Sequence, residues 1–437
     1  MSFTYRSKID AARGRRPVRG PRVSAGVWAR ARWKNDGSRS LGALVLVATF
    51  VVARTAAGEP LRLRGDALVQ TRSPVGLVVL RGEDRLRPWL DVESVTWLGA
   101  TGGAEPVMAT GDVLTLSVRA RDAASGSELR AGRMIVTMGA VRPVHVDGAR
   151  GLVRVFDGTT LEAFGGVPVV RRFDYERFDW TAGGRLGQAI GDVAAVGGSY
   201  AVRRRGTLLD DEEVGADFAL TPAPWLTAAG RAAFDIVSGG PTDALTSISA
   251  QKDEVRGELF ATHRSPGRLL PRTSLFSVLG DFAATSSGAS ARWRAFPRLE
   301  LVATGSVQVQ GAEVGGQGLG RATLALDDEW AGSVGLEARR VDFAGARWLG
   351  ARVVASWPLS AAIRVATELE LVRPDEARGR GAIWPWALGA LAWTSPSGWE
   401  IAGALEASAG PENRESLHAL ARVSYALGEP PRRGAAR

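Results

Sequence analysis

The chain has 437 residues, of which 45% are apolar, and it contains no cysteine. This composition excludes an intrinsically disordered chain, disulfide cross-links and thiolate metal sites. The net charge of +9 would suit a nucleic-acid partner, but residues 1–57 hold 12 Lys and Arg against 2 Asp and Glu, which leaves 43 basic and 44 acidic residues elsewhere. The basic charge therefore belongs to the N-terminal segment, and we expect no nucleic-acid partner for the main body.

The first predicted element is the apolar segment 41–53, LGALVLVATFVVA, which follows about forty residues of basic character. As a helix it would span only about 20 Å, which is short for the hydrocarbon core of a bilayer. Together with the small residues of 55-TAAGEP-60 it predicts a signal peptide for export through the inner membrane, with cleavage after Ala57. An uncleaved signal anchor, a start site placed too early and a buried core helix are the alternatives for this leader, residues 1–57.

From residue 87 onward, apolar and polar residues alternate with a period of two. In 298-RLELVATGSVQVQ-310 the apolar set from Leu299 to Val309 opposes Arg298, Glu300 and the polar residues after them, with Val302 the one exception. The same pattern recurs at 213–221, 225–236, 361–371, 399–408 and 416–427. Runs of this length match tilted membrane strands and exceed ordinary soluble strands. We therefore predict an all-β fold, a transmembrane antiparallel up-and-down β-barrel of about 18–22 strands.

The barrel is expected to span 87–427, followed by a tail at 428–437. Residues 58–86 form either an extra hairpin, with strands at 64–71 and 75–80, or a periplasmic segment that plugs the lumen. The connections alternate between tight turns and loose loops, as they do on the two rims of outer-membrane barrels. The tight turns are at 221–225, 251–254, 295–298, 326–330, 356–360 and 394–399, and the loose loops are at 237–243, 263–288, 310–318, 373–381 and 409–415.

Two features of these connections carry further expectations. Aromatic residues at the tight turns predict a girdle at one membrane interface, because such rings combine an apolar body with a polar edge. The predicted girdle residues are Trp225, Phe296, Trp330, Trp357, Trp393 and Trp399. The centre of 263–288 is apolar, which indicates a loop folded into the lumen, a further strand pair or a helix on the rim.

Charged residues on the polar faces should line the lumen. The predicted lining residues are Arg231, Asp235, Arg256, Glu258, Arg292, Arg294, Arg298, Glu300, Arg321, Glu337, Arg339, Arg364, Glu368, Glu370 and Arg422. Because the signs are mixed, these charges either pair across strands and brace the wall or line a polar channel. In the second case the arginines at 292–298 would favour anionic solutes or sugars.

The segment 132-GRMIVTMGAVRPVHVDGARGLVRV-155, with 161-LEAFGGVPV-169, resembles a recurring piece of porin-like outer-membrane barrels of the alginate-export and general porin type. In those proteins a strand with Gly-Arg leads into a short inward loop containing Asp-Gly and a second strand ending in Phe-Gly-Gly. The resemblance implies a pore or export channel in the outer membrane of a Gram-negative bacterium. Such barrels usually end on an aromatic residue that the barrel-assembly machinery recognises, whereas here Tyr425 and Leu427 precede the tail.

The sequence therefore predicts an outer-membrane channel for small polar or anionic solutes, with membrane lipid and the assembly machinery as partners and no cofactor or metal. A plugged structural or assembly barrel is the alternative. A hydrolase using His418 with Ser416 or Ser424 is a weaker one, because neither a phosphate loop nor a G-x-S-x-G motif occurs. Solute identity and oligomeric state are not predicted.

Overall fold

The computed structural model describes residues 62–71, 75–101, 108–156, 158–169, 179–237, 239–265, 284–343, 346–376, 382–410 and 416–428. The expected leader, the centre of 263–288 and almost all of the tail lie outside these residues. Within them, 22 strands form one sheet, and there is no helix that could cross a membrane. The strands are β1 (Arg62–Gln70), β2 (Val75–Arg87), β3 (Leu90–Thr101), β4 (Met108–Arg121), β5 (Glu128–Met138), β6 (Val141–Phe156), β7 (Thr159–Pro168), β8 (Asp179–Ile190), β9 (Ala194–Arg205), β10 (Leu208–Ala223), β11 (Leu226–Asp235), β12 (Gly240–Lys252), β13 (Val255–Arg264), β14 (Ala284–Phe296), β15 (Leu299–Gln310), β16 (Glu313–Ala325), β17 (Ser333–Phe343), β18 (Ala346–Pro358), β19 (Ile363–Pro374), β20 (Trp384–Thr394), β21 (Trp399–Ser408) and β22 (Ser416–Leu427).

The sheet closes on itself. Each strand pairs antiparallel with the next one in sequence, and β1 pairs with β22, for example Gly65 opposite Tyr425. Ser424 donates a side-chain hydrogen bond to Asp66 across this seam at 2.6 Å. Closure satisfies the backbone groups of the edge strands, which is the requirement for a sheet in hydrocarbon. The predicted fold class, a closed all-β antiparallel barrel, is confirmed.

Residues 62–87 form the hairpin β1–β2, which belongs to the barrel wall. The barrel therefore begins at Arg62 rather than at residue 87, and this segment is not a lumen plug. Its alternation is weaker than that of the later strands, since Leu68 and Leu77 lie on the same face as Asp66. For this reason the sequence left the hairpin and the plug open as alternatives.

The apolar face of the strands is the more exposed one. In β15 the exposed positions are Ala303, Gly305, Val307 and Val309, while the polar residues between them are half-buried. Across the barrel, outward side chains such as Leu405 (59% exposed) and Leu336 (59% exposed) behave in the same way. A water-soluble sandwich would bury these side chains, so the outer surface is an apolar belt of the kind that contacts lipid.

The connections on the two rims differ in length. The near rim carries both ends of the barrel chain, and its connections run from the two-residue turn 224–225 to the seven-residue turn 326–332. The far rim carries the longer intervals 169–178, 265–283 and 375–383. The predicted loose loop at 310–318 is wrong, because residues 311–312 form a tight turn at this rim. Its glycines lie mostly within β16, where a Cβ at Gly315 would be only 2.3 Å from the Phe343 ring.

Candidate functional site: the lumen and its inward hairpin

The inner face of the barrel is held by ion pairs that run from strand to strand. Glu337, only 3% exposed, accepts hydrogen bonds from Arg321 on the preceding strand and from Arg339 on its own strand. Arg352 pairs with Glu368 at 2.5 Å on the next strand. Opposite charges placed across neighbouring strands stabilise their register. These contacts favour wall bracing as the role of the inner charges.

The register places the predicted lining residues on this inner face, with Arg298 in the near-rim turn between β14 and β15. Most of them have a partner of opposite charge. These pairs are Arg231–Asp243 (2.9 Å), Arg256–Glu258 (3.9 Å), Arg292–Glu300 (2.5 Å), Arg298–Asp328 (2.7 Å), Arg339–Glu370 (3.9 Å) and Arg422–Glu400. Asp235 is buried beside Glu213 in the register. Arg364 donates instead to the carbonyl of Ala331 at 3.0 Å.

The arginines at 292–298 do not form a free cationic cluster. Arg292 and Arg298 pair with carboxylates. The guanidinium of Arg294 lies 5.8 Å from the centre of the Trp330 ring, a cation–π distance. The positive charge at this position is therefore largely compensated.

Aromatic residues crowd the near rim. Trp225, Phe296 and Trp357 are more than half exposed, and Trp399 contacts Tyr425 on the neighbouring strand with ring centroids 4.6 Å apart. Trp330 differs, because its indole Nε1 donates to the carbonyl of Pro297 at 3.2 Å and its ring faces Arg294 of the inner set. The sequence missed Trp89 and Phe156, which are also exposed at near-rim turns.

One hairpin leaves the wall and enters the lumen. β5 pairs with β4 only through residues 128–133, and β6 pairs with β7 only from Val146 onward. Between these limits the two strands pair only with each other. We call residues 133–147 the inward hairpin. The resemblance implied a short inward loop that contains Asp-Gly, whereas the structure has a long strand pair that turns at residues 139–140, with Asp147 and Gly148 at its base.

Glycines form both hinges of the inward hairpin. Gly132 has a φ of +122°, and a Cβ there would lie 2.3 Å from the Leu116 carbonyl oxygen. Gly148, its direct register partner, would place a Cβ 2.1 Å from the Gly165 carbonyl oxygen. Only a residue without a side chain allows the backbones to approach this closely at the point where the hairpin turns away.

Polar contacts at the base tie the hairpin to the wall. Arg133 donates to both carboxylate oxygens of Asp147 at 2.7 and 2.8 Å, and also to Asp112 and the Val113 carbonyl of β4. The His145 ring donates from Nε2 to the Leu114 carbonyl at 2.6 Å. These groups hydrogen-bond to the part of β4 that has no strand partner on this side.

One face of the inward hairpin supplies the barrel's buried apolar cluster. Met134, Val136, Met138, Val141 and Val146 are each at most 4% exposed, and they pack with Phe164 and Ala201 of the wall. The opposite face is open, with Ile135 52% exposed. The wall beneath is made of small residues, so that Gly183 and Gly215 lie directly under Met138 and Ala140. The hairpin is therefore docked on one side of the lumen through an apolar face.

Polar groups fix the tip against β9 and β10. Arg142 donates from Nε to Glu213 at 2.8 Å and also binds Asp211, while its backbone N–H donates to Glu213 at 3.1 Å. The Ala140 N–H donates to Ser199 Oγ at 3.3 Å. Glu213 is only 3% exposed, so this carboxylate depends on Arg142 for compensation of its charge.

A cavity of about 400 Å³ lies beside the hairpin tip. Its charged lining groups are Glu162, Arg185, Asp217 and Arg231, and Gly139 of the tip lies next to them. Arg185 donates to Asp217 from two nitrogens at 3.0 and 2.5 Å. The charges within the cavity are thus paired, as they are along the rest of the inner wall.

The serines proposed for a hydrolase have other partners. Ser424 donates a hydrogen bond to Asp66, and the hydroxyls of Ser416 and Ser408 are hydrogen-bonded to each other at 2.6 Å. His418 does face the lumen, opposite Glu406 in the register. Neither serine hydrogen-bonds to His418 among the described contacts, and no group of three potential metal ligands occurs in the described residues.

The sequence of the inward hairpin departs from the pattern of a barrel strand. The run 134-MIVTM-138 is apolar at every position except Thr137, whereas a barrel strand should be polar on its lumen side. Such a run indicates that its inner face is covered. The partners on β8 to β11 could not be identified from this signal, because they lie some fifty to one hundred residues further along the chain.

No protein-family model matches the chain, and no curated protein matches it. Among solved structures, the chain is similar to the copper transporter OprC (11% identity, TM-score 0.56, covering 85% of this chain and 81% of that one). It is also similar to a mutant of the ferric enterobactin receptor PfeA from Pseudomonas aeruginosa (8%, 0.57, 85% and 81%). The P pilus usher PapC translocation pore matches at 9% identity and a TM-score of 0.48, covering 84% and 98%. At such identities the likeness shows the fold alone, that of large outer-membrane β-barrels.

Proposed function

We propose that the chain forms a channel in the outer membrane of a Gram-negative bacterium, through which small polar solutes pass passively. The observation that carries the proposal is the arrangement of the lumen. A closed ring of 22 strands has a polar inner wall, and among the described residues the inward hairpin docks on one side of it, mainly against β7 to β11. A barrel of this size encloses a lumen much wider than one hairpin.

The inner charges support weak rather than strong ion selectivity. Rings of a single sign select ions of the other sign, but here arginines and carboxylates alternate around the wall and pair with each other. We had expected the arginines at 292–298 to favour anions, and their pairing with Glu300 and Asp328 weakens that expectation. Neutral polar solutes therefore fit the lumen at least as well as anions.

A second candidate is a non-conducting structural or assembly barrel. It is favoured by the firm docking of the inward hairpin, which combines an apolar face with the Arg142 contacts. Natural barrels of this strand number commonly contain a plug. The two candidates differ in whether the side of the lumen away from the hairpin is open.

Conductance across planar bilayers separates the candidates. The test compares the full chain with a variant in which an Asn-Gly turn replaces residues 133–147, which is feasible because Gly132 and Gly148 are direct register partners. A channel narrowed by the hairpin conducts steadily, and the variant conducts more. A bilayer that stays silent with the full chain but conducts with the variant supports the plugged barrel, and silence with both overturns the channel proposal.

The proposed location has its own support and its own test. The apolar belt requires lipid around the barrel, and we propose export by the leader and insertion by the barrel-assembly machinery. Heat-modifiable gel migration in the outer-membrane fraction is expected, since folded barrels resist detergent until heated. Recovery of the folded chain from the soluble fraction alone would contradict this location.

A further inference from the structure

Four tryptophans break the polar character of the inner wall. Trp97 lies on β3, Trp348 on β18, and Trp384 and Trp386 on β20. The register puts Trp97 in one row with Val79 and Asp66, and Trp386 in one row with Glu370 and Ser408, all on the lumen side. All four lie in the half of the barrel nearer the far rim, away from the aromatic residues of the near rim. We call them the tryptophan arc.

Two of these indoles lie flat against the wall. The sequence Trp-Leu-Gly occurs at 97–99 and again at 348–350. A Cβ at Gly99 would be 3.1 Å from Trp97 Cζ3, and a Cβ at Gly350 would be 2.9 Å from Trp348 Cζ3. In each case the glycine leaves room for the ring to lie along its own strand, and both indoles remain half-buried on the lumen side.

Polar groups suited to hydroxyls lie beside the rings. The Trp386 indole donates from Nε1 to Glu406 at 2.9 Å, and within the described strands Glu406 has no ion pair with an arginine. The next inward position carries Ser408, whose hydroxyl is 2.6 Å from that of Ser416. Trp384 Nε1 is buried and has no hydrogen-bond acceptor among the described residues. A carboxylate and two hydroxyls thus lie beside the aromatic surfaces.

Three members of the tryptophan arc, Trp348, Trp384 and Trp386, lie almost opposite the inward hairpin. The hairpin docks mainly on β7 to β11, while these three indoles lie on β18 and β20 in a ring of 22 strands. The fourth, Trp97, lies on β3, next to the strand β4 that the base of the hairpin contacts. A solute that passes the hairpin on its open side therefore travels along the wall that carries the indoles. Aromatic walls with a few converging polar groups are typical of sites for small organic ligands.

We propose that the tryptophan arc binds oligosaccharides, whose pyranose rings stack on the indoles while their hydroxyls bond to Glu406 and Ser408. Trp384 and Trp386 are about 7 Å apart along β20, and Trp348 lies two strands away, about 10 Å. This spacing fits a chain of several sugar rings better than one ring. The proposal names the solute class of the proposed channel, but binding itself does not require conduction.

An organic cation is the competing ligand for aromatic surfaces. The carboxylates near the arc are mostly compensated, since Glu370 lies 3.9 Å from Arg339 and Glu368 pairs with Arg352 at 2.5 Å. A cation site would need uncompensated negative charge around the rings, and Glu406 alone supplies little of it. The local charge therefore favours a neutral ligand.

Isothermal titration calorimetry on the purified full chain tests the proposal, with maltohexaose, cellohexaose and chitohexaose as saccharide probes and choline as the cation probe. We expect heat of binding from at least one hexasaccharide and none from choline. Loss of one stacking ring should weaken binding about tenfold in Trp386→Ala and Trp348→Ala, and Trp386→Phe should restore most of it. The matched control is Trp393→Ala, which removes an indole from the outer face of the same strand and should leave binding unchanged.

Gly350→Val keeps all four indoles but displaces the Trp348 ring, so it should weaken binding about as much as Trp348→Ala. Heat-modifiable migration of every variant shows that the barrel has folded. The proposal is overturned if no hexasaccharide binds, if only choline binds, or if Trp393→Ala weakens binding as much as Trp386→Ala. Conduction without saccharide binding would support the proposed channel and contradict saccharide binding by the tryptophan arc. Saccharide binding without conduction would support the binding site and contradict the channel.

Discussion

Docking of the inward hairpin depends on its apolar face, and charged substitutions on that face should release it. The perturbation is the double substitution Met134→Asp and Met138→Asp, at two side chains that are at most 2% exposed. Its matched control is Ile135→Asp with Thr137→Asp. The control places the same charges on the same strand, but on the face that is open to the lumen.

The free energies of the apolar contacts and of the Arg142 contacts indicate which of them holds the hairpin against the wall. Five buried hairpin side chains contribute at most roughly 8–15 kcal/mol, from about 1.5–3 kcal/mol for each Val or Met removed from water. Loss of the Arg142 contacts costs about 3–5 kcal/mol at most, which is less than the apolar term. The double Asp substitution removes two of the five side chains, and each carboxylate would add several kcal/mol if it stayed buried. The released hairpin should therefore be the stable state of this variant but not of Arg142→Ala.

The chain contains no cysteine, so a single thiol reports on the hairpin without background. Val141→Cys places it at a site that is 4% exposed, and Ser125→Cys, in an exposed turn, gives the rate for a free thiol. A docking free energy of a few kcal/mol slows labelling of the buried thiol by more than about a hundredfold. We expect this protection to vanish in the Met134/Met138 variant and to persist in the Ile135/Thr137 control and in Arg142→Ala. Equal labelling of the variant and its matched control would refute the assignment of docking to the apolar face.

Three further outcomes follow from the wall and its turns. Glu337→Gln removes the charge that compensates two neighbouring arginines, and it should lower the temperature at which gel migration changes by several degrees. Glu258→Gln is the control, because its arginine is 3.9 Å away, and it should change this temperature little. A larger decrease for Glu258→Gln than for Glu337→Gln would contradict the bracing role. In the near-rim turn, the N–H groups of Ala331 and Gly332 lower the pKa of Asp327. Its contribution to the turn is therefore present above the ordinary Asp pKa and is lost as the pH falls through the lowered pKa. The protection of these two amides, measured relative to their intrinsic exchange rate at the same pH, should therefore decrease at low pH and in Asp327→Asn, and protection in the wild type that does not change with pH would refute it. Gly132→Val should prevent the hairpin from turning inward, because a Cβ there meets the Leu116 carbonyl. It should therefore raise the rate at which the thiol of Val141→Cys is labelled. The control Gly305→Val, where a Cβ meets open space, should leave this rate unchanged.

The alternation of residues predicted most of the barrel because it reflects a purely local constraint. A strand that separates lipid from a wet lumen must change polarity at every residue, so the alternation located β10, β11, β19, β21 and β22 and indicated which face of each is apolar. The turn at 311–312 was missed for a local reason as well. Glycines that allow close approach within β16 look the same in sequence as glycines of a loop.

The site was harder to predict, because it depends on contacts between distant parts of the chain. Arg142 and Glu213 are 71 positions apart, and nothing in either local sequence indicates that they meet. The same is true of the Asp66–Ser424 bond across the closing seam. Pairing along the strands can be inferred from the order of the elements, whereas contacts across the lumen cannot.

Departures from the alternation nevertheless contain information about the lumen. Val302 is the apolar exception on the inner face of β15, and its register partners are Arg292 and Arg321, so it separates two like charges that each have a carboxylate elsewhere. Met134, Val136 and Met138 are inner-face exceptions that the docking of the hairpin explains. Trp348 and Trp386 are exceptions for which the described wall offers no covering element. Apolar residues on a wet surface are costly unless something covers them, and where the chain itself does not, a ligand is the natural candidate.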